Sequence, residues 1–285
     1  MKIRKLGDKK WKVLIFQGSP RDPDTCPNME SKTHKVIDYV IEKWSPFLNI
    51  KVIDLSVNLN KKPNIQPCKG CVSTAGGYHC HFKCSCYFKG DEKKPDLLSE
   101  LNVYELLQEC DAFLIFSPIH WHSLTSQVKT LFDRLVCINQ TLTIEDAKNL
   151  IGSENIKNSQ VTGKFSKSGK YDNLLRNHLE GKVCGFYAHG DAGADDYEGK
   201  ELPESYSDVF DDGYSNNAKN VTQPFVMQLK YSGVFVPDNL IESFYTNKNI
   251  NYYVANKIKN TEFFERADNL INNLLDYLDE KNKEI

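Results

Sequence analysis

A chain of 285 residues with 40% hydrophobic side chains is long enough to bury a substantial core, as one large α/β domain or two small ones. Its 36 basic and 38 acidic side chains and pI near 6.4 exclude the basic excess of a nucleic-acid binder. No stretch approaches the roughly 20 apolar residues that span a bilayer, and the apolar run after Lys2, Arg4, Lys5, Lys9 and Lys10 has strand length, short of a secretory h-region. The expectation is a soluble, cytoplasmic protein with neither nucleic acid nor membrane as a partner.

The first element is Val13 to Phe16, four consecutive large apolar residues, a run suited to a strand covered on both faces. It stops at Gln17-Gly18. A polar loop follows, and Ser31-Lys32-Thr33 opens a helix whose Val36, Ile37, Val40, Ile41 and Trp44 recur at helical spacing. Ile50 to Val57 reads as a second strand, its Lys and Asp content suggesting an edge. Leu97 to Leu107 reads as a helix with Leu98, Leu101, Tyr104 and Leu107 on one face. Asp111 to Ile119 is a third, doubly buried strand, and Ser126 to Val136 another helix. Residues 138–180 are a long stretch rich in Asn, Lys and Ser, of a kind that serves as a lid or interface element. Lys182 to Ala188 is a fourth strand and leads into the loop His189 to Asp196. Asn217 to Tyr231 reads as a helix, Gly233 to Ile241 as a fifth strand region, and Thr261 to Leu278 as the last helix. This alternation predicts one parallel sheet with helices on both faces and right-handed crossovers.

In an open parallel sheet, ligands bind beyond the carboxyl ends of the strands. Three loops fall there: Gly18 to Thr33, Ser117 to Thr125, and His189 to Asp196. In the first, hydroxyls and Arg21 precede a helix start, where unpaired N–H groups and the helix dipole favour an anion, and the donors suit a terminal phosphate. The other reading makes Ser31 only an N-cap and Arg21 a surface charge. Neither GxxxxGK[ST] nor GxGxxG follows the strand, which argues against a nucleoside-triphosphatase and the dinucleotide-binding fingerprint. The second loop, SPIHWHSLT, offers peptide donors and the faces of His120 and Trp121, an arrangement suited to a flat heteroaromatic ring. Trp121 and Ile119 could instead be core, and His120 and His122 solvated.

The pattern GSPR, then Ser31-Lys32-Thr33 after a long spacer, and above all SPIHWHSLTSQVKTLFDR from Ser117 to Arg134, resembles the flavodoxin-like NAD(P)H-dependent FMN reductases. The resemblance implies a single flavodoxin-like FMN-binding domain over 1–285, with sheet order 2-1-3-4-5 and insertions at 66–90 (cysteine-rich) and 138–180 (polar). It implies that Ser19, Arg21, Ser31, Lys32 and Thr33 hold the FMN phosphate. Pro118, Ile119, His120, Trp121, His122 and Ser123 would pack against the ring, with Lys129, Asp133 and Arg134 on the following helix. His189, Gly190, Asp191 and Gly193 match the third flavin-contacting loop less specifically, and His120 stands where the family usually has Tyr. The resemblance implies hydride transfer from NAD(P)H to FMN and on to a flavin, quinone or similar acceptor, in a homodimer or homotetramer. The alternative is an iron–sulfur flavoprotein, or a flavodoxin-type electron carrier without NAD(P)H turnover. Lys164, Lys167 and Lys170 could meet the 2′-phosphate of NADPH or form a solvated basic loop.

Of nine cysteines, Cys68, Cys71, Cys80, Cys84 and Cys86 lie in one short segment, a density that in a reducing compartment argues for metal or redox use. Cys68-x-x-Cys71 is a metal-compatible spacing, and the interval matches the position of the cysteine motif in iron–sulfur flavoproteins, although Thr74 replaces the third Cys of that motif. An iron–sulfur cluster, zinc, and free or paired thiols are the readings in play. Cys26, Cys110, Cys137 and Cys184 read as core or loop residues.

Overall fold

The computed structural model describes residues 10–21, 31–56, 65–70, 82–84, 86–87, 96–121, 123–139, 177–190, 218–245 and 261–282. The polar stretch from residue 140 to 176 lies outside them, as do Cys26, Cys71 and Cys80. None of the described helices is long and apolar enough to cross a membrane.

The elements run β1 (Trp11–Gln17), α1 (Lys32–Trp44), β2 (Leu48–Asp54), α2 (Leu97–Glu100), α3 (Val103–Glu109), β3 (Ala112–His120), β4 (Ser123–Leu124), α4 (Ser126–Arg134), β5 (Val183–Gly190), α5 (Ala218–Tyr231), β6 (Ile241–Tyr245) and α6 (Thr261–Lys281). The sheet order is β2-β1-β3-β5-β6, with every neighbour along that path parallel. The two-residue β4 adds an antiparallel pairing to the end of β3. Leaving β4 aside, this is the expected doubly wound flavodoxin-like order, with the Lys- and Asp-bearing strand at an edge.

Doubly covered strands need apolar side chains on both faces, and the core accordingly divides in two. On one face Leu14, Phe16, Phe113 and Ile115 pack with α2, α3, α4 and α5. On the other, Val13, Ile15 and Leu114 meet α1 and α6, whose Leu270, Ile271, Leu274, Leu275 and Leu278 are buried. Polar bonds set the angle of those two helices: Trp44 Nε1 and the Tyr39 hydroxyl donate to Asp268 at 2.9 and 2.8 Å, and Lys43 pairs with the same carboxylate.

Three expectations are corrected. The helix expected over Leu97 to Leu107 is two, because Asn102 takes a left-handed φ of 51°. That break leaves Leu98, Tyr104 and Leu107 buried while Leu101 is exposed. The fifth strand starts at Ile241, where its expected span ends. Pro237 and a 3₁₀ turn over Asp238–Leu240 interrupt the apolar run, since proline has no N–H for the ladder. Residues before the turn make only an isolated bridge, Val183 to Phe235. Finally, Ile41 lies at the exposed margin of α1 rather than in its buried stripe.

Arg134, at the end of α4, has no solvent exposure in its side chain, and neither has Asp96. The guanidinium binds that carboxylate in a fork of two 2.9 Å bonds and donates a third bond to the Gln66 carbonyl. Removing one member of a buried pair strands the other charge. Asp96→Asn should therefore lower stability by about 3–5 kcal/mol, read as the shift in the urea unfolding midpoint.

Candidate functional site

The architecture converges at the carboxyl end of β1. Gly18 donates its N–H to the Phe116 carbonyl at 2.7 Å, and its own carbonyl accepts the Thr125 hydroxyl at 2.6 Å. A β-carbon at Gly18 would overlap the Val128 side chain and lie 3.1 Å from the Phe116 oxygen. Only glycine lets the chain leave the sheet here, between β3 and the start of α4. Thr125 also caps α4, accepting from the Val128 N–H.

Beside this exit, Gln17 organises the next turn of chain. Its amide is buried; it accepts the Ser19 N–H and donates to the Ser19 carbonyl at 3.2 Å and to Asp54 at 3.0 Å. His34 Nε2 lies 2.9 Å from the other oxygen of Asp54. Burial would raise the Asp54 carboxyl, but hydrogen bonds from His34 and the Ser56 N–H outweigh it and hold the group below its usual value. Gln17 and Asp54 are register partners across β1 and β2, so the network spans the strand pair that ends at the site. Ser19 is the one sequence-derived candidate in it; Gln17, His34 and Asp54 were not among the candidates, and the signal was an amide at the last position of β1.

The product is a cleft of about 390 Å³, within the range of small-molecule sites. Ser19, Pro20, Arg21, Ser31 and Lys32 line it from the segments between β1 and α1, Pro118, Ile119 and His120 from the end of β3, and His189 and Gly190 from β5. Ser31 caps α1, accepting from the Thr33 and His34 N–H groups, so the cap and cleft-lining readings of this residue hold together. Arg21, Lys32 and the N-terminus of a thirteen-residue helix bring positive charge to the cleft, and no acidic side chain is among its described lining residues. His120 is held below its usual pKa, first by burial and then by the charge of Arg21, which keeps it neutral near neutral pH.

Several candidates sit elsewhere. Thr33 is buried and does not line the cleft; its hydroxyl lies 2.8 Å from His189 Nε2, tying the α1 start to the end of β5. His189 and Gly190 belong to β5 rather than to a loop, while Asp191, Gly193 and His122 lie outside the described residues. Trp121 is not core: it is 95% exposed and outside the cleft lining. It stands at the two-residue turn between His120 and its β4 partner Ser123 with φ at 46°, the sign such a turn demands and a strained one for a bulky residue. Ser123 forms that pairing with His120. Ile119 both packs on the core and lines the cleft. On α4, Lys129 and Asp133 pair with each other at the surface, and Arg134 is occupied by Asp96, away from the cleft.

Among the cysteines, Cys110, Cys137 and Cys184 are buried, and burial pushes the Cys110 thiol up to about 12. Cys68, Cys84 and Cys86 form no disulfide and are partly exposed. Hydrogen bonding from Cys86, joined by the charge of Arg134, outweighs burial and brings the Cys84 thiol from 9.0 to about 5. Among the described residues no three His, Cys, Asp or Glu side chains converge as an ion site.

Gly18→Ala should clash at the strand exit, costing about 1–3 kcal/mol and reducing ligand retention in the cleft. Adding Val128→Ala should recover part of both, measured by thermal unfolding and by absorbance of the bound ligand.

The model of the NADPH-dependent FMN reductase family matches residues 11–152. No curated protein matches the chain. Among solved structures, RosB with a bound 8-demethyl-8-formylriboflavin-5′-phosphate intermediate shares 14% identity over 92% of this chain and 76% of its own, with a TM-score of 0.49. General stress protein 14 of Treponema denticola, solved with FMN, shares 16% over 95% and 99% at 0.41. FerB, an NAD(P)H:(acceptor) oxidoreductase of Paracoccus denitrificans, shares 12% over 95% and 98% at 0.43. From β1 through α4, and so across two of the three strand ends that form the cleft, the chain belongs to the NADPH-dependent FMN reductase family of oxidoreductases.

Proposed function

We propose that the protein binds FMN in this cleft and uses it to pass a hydride from NAD(P)H to a small acceptor, such as a free flavin or a quinone. The observation that carries the reading is the make-up of the cleft lining: Arg21, Lys32 and the Ser19 and Ser31 hydroxyls from the segments between β1 and α1, and Pro118, Ile119 and His120 from the end of β3. The first set suits a terminal phosphate dianion, with cations and hydroxyls for its oxygens and a helix dipole of the right sign. The second set is uncharged and suits the flat ring.

FMN, when bound, supplies the capacity to accept a hydride and release electrons; the protein supplies position, electrostatics and protection from side reactions. Arg21 and Lys32 neutralise the phosphate and so anchor the cofactor. Thr33 and His189 hold the helix start against β5. Pro118 and Ile119, which line the cleft, would pack against the ring and keep water from it. The reading extends to a cytoplasmic homodimer or homotetramer, and light scattering tests the oligomeric state.

Purified protein should take up FMN, show flavin absorbance bands, and lose them on anaerobic titration with NADPH. Failure to take up FMN overturns the reading; uptake without nicotinamide oxidation replaces the enzyme with an electron carrier. Arg21→Ala removes a charge-assisted bond worth about 1.5–3 kcal/mol, so the Kd for FMN should rise about 10–100-fold. Binding of riboflavin, which lacks the phosphate, should change little.

A further inference from the structure

Two hydroxyls of the cleft lining are engaged as acceptors by the backbone. Ser19 Oγ accepts the Arg21 N–H at 3.2 Å, and Ser31 Oγ accepts the Thr33 and His34 N–H groups at 3.1 and 3.5 Å. A hydroxyl that accepts in this way keeps its own hydrogen to give, so both oxygens can donate, as an anion requires. His34 reaches both. Its N–H goes to Ser31, and its ring acts on Ser19 through Gln17.

The Gln17 amide accepts the Ser19 N–H and gives one hydrogen to the Ser19 carbonyl. Its other hydrogen goes to one oxygen of Asp54 at 3.0 Å, while His34 Nε2 lies 2.9 Å from the second oxygen. The two nitrogens are 2.7 Å apart, side by side on one carboxylate in the manner of a guanidinium fork. That arrangement needs a hydrogen on His34 Nε2. A lone pair there would face the ionised carboxylate and compete for a Gln17 hydrogen, leaving three acceptors for two hydrogens. The Ser56 N–H adds a bond at 2.8 Å, so three donors hold a carboxylate charge that would otherwise oppose an anion nearby.

We infer that His34 and Asp54 are positioning residues for the anion-binding hydroxyls of the cleft. With its hydrogen on Nε2, His34 leaves both Gln17 hydrogens to Asp54 and the Ser19 carbonyl, and so holds the turn that presents Ser19 Oγ and Arg21. Neither His34 nor Asp54 is among the described lining residues, so both act through Gln17 and not by contact. The role rests on the reading that the cleft holds the FMN phosphate. It uses the donor on the ring and not the ring's charge, so a neutral side chain with an N–H at the same reach serves as well.

His34→Leu removes that donor and keeps the backbone N–H to Ser31. In the full-length protein its Kd for FMN should rise about 3–10-fold, while the Kd for riboflavin, which lacks the phosphate, stays within about twofold. His34→Gln should keep the wild-type Kd for FMN. In the ligand-free protein the Ser19 amide hydrogen should exchange faster in His34→Leu than in the wild type or His34→Gln. This exchange arm involves no flavin: a wild type that takes up no FMN overturns the cofactor reading, and Ser19 exchange then decides the positioning role by itself. The inference is overturned by unchanged Ser19 exchange in His34→Leu, by equal losses of FMN and riboflavin affinity, or by His34→Gln behaving as His34→Leu does.

Discussion

Space for a single carbon atom governs this architecture. β1 lies in the interior of the sheet, between β2 and β3, so its chain must leave through a gap bounded by the Phe116 carbonyl and the Val128 side chain. Gly18 fits that gap with both of its peptide groups bonded, one to β3 and one to the cap of α4. The loop after β1 and the loop after β3 are thus fastened to each other at one residue, and the cleft between them inherits a defined width. Gln17 extends the same control sideways, since its buried amide fixes both the Ser19 turn and the end of β2.

α4 joins two chemically different regions. Its N-terminus is capped by Thr125, which is tied to the Gly18 carbonyl where β1 leaves the sheet, and its last residue, Arg134, lies at the cysteine segment. Nine residues at about 1.5 Å each span roughly 13 Å. The environment of the thiols follows the same division. Where the surroundings are apolar, as at Cys110 and Cys184, burial disfavours the anion and the sulfur is inert filler. Where a buried cation and a second thiol are supplied, as at Cys84, the anion is favoured. Side-chain identity is the same in each case, and position within the fold makes the difference.

Much of the sheet was legible because doubly covered strands are unbroken apolar runs, as in Val13 to Phe16 and Ala112 to Phe116, and because α1 and α6 carry long helical stripes. The errors have local causes. Leu98, Leu101, Tyr104 and Leu107 keep helical spacing straight through the left-handed Asn102, so periodicity could not reveal the break. The apolar residues from Val234 to Ile241 hid the turn at Pro237 that delays β6. Trp121 suggested a platform or core residue by its chemistry, whereas a two-residue turn pairing His120 with Ser123 sends it into solvent. The phosphate-suited end was readable from Ser19, Arg21 and the Ser31 cap, because a strand, a hydroxyl-bearing loop and a helix start follow one another directly in the chain.

The sequence by itself determined the alternation of strands and helices, the edge position of β2, and the chemistry of the loops that end the strands, because these depend on residues adjacent in the chain. Only the tertiary structure decided that His189 meets Thr33, that Gln17 reaches Asp54, that Arg134 serves Asp96 rather than the cleft, and that Cys84 lies beside that same guanidinium. Each of those pairings joins segments far apart in sequence, and each depends on burial withdrawing polar groups from water until a specific partner becomes the alternative to solvation.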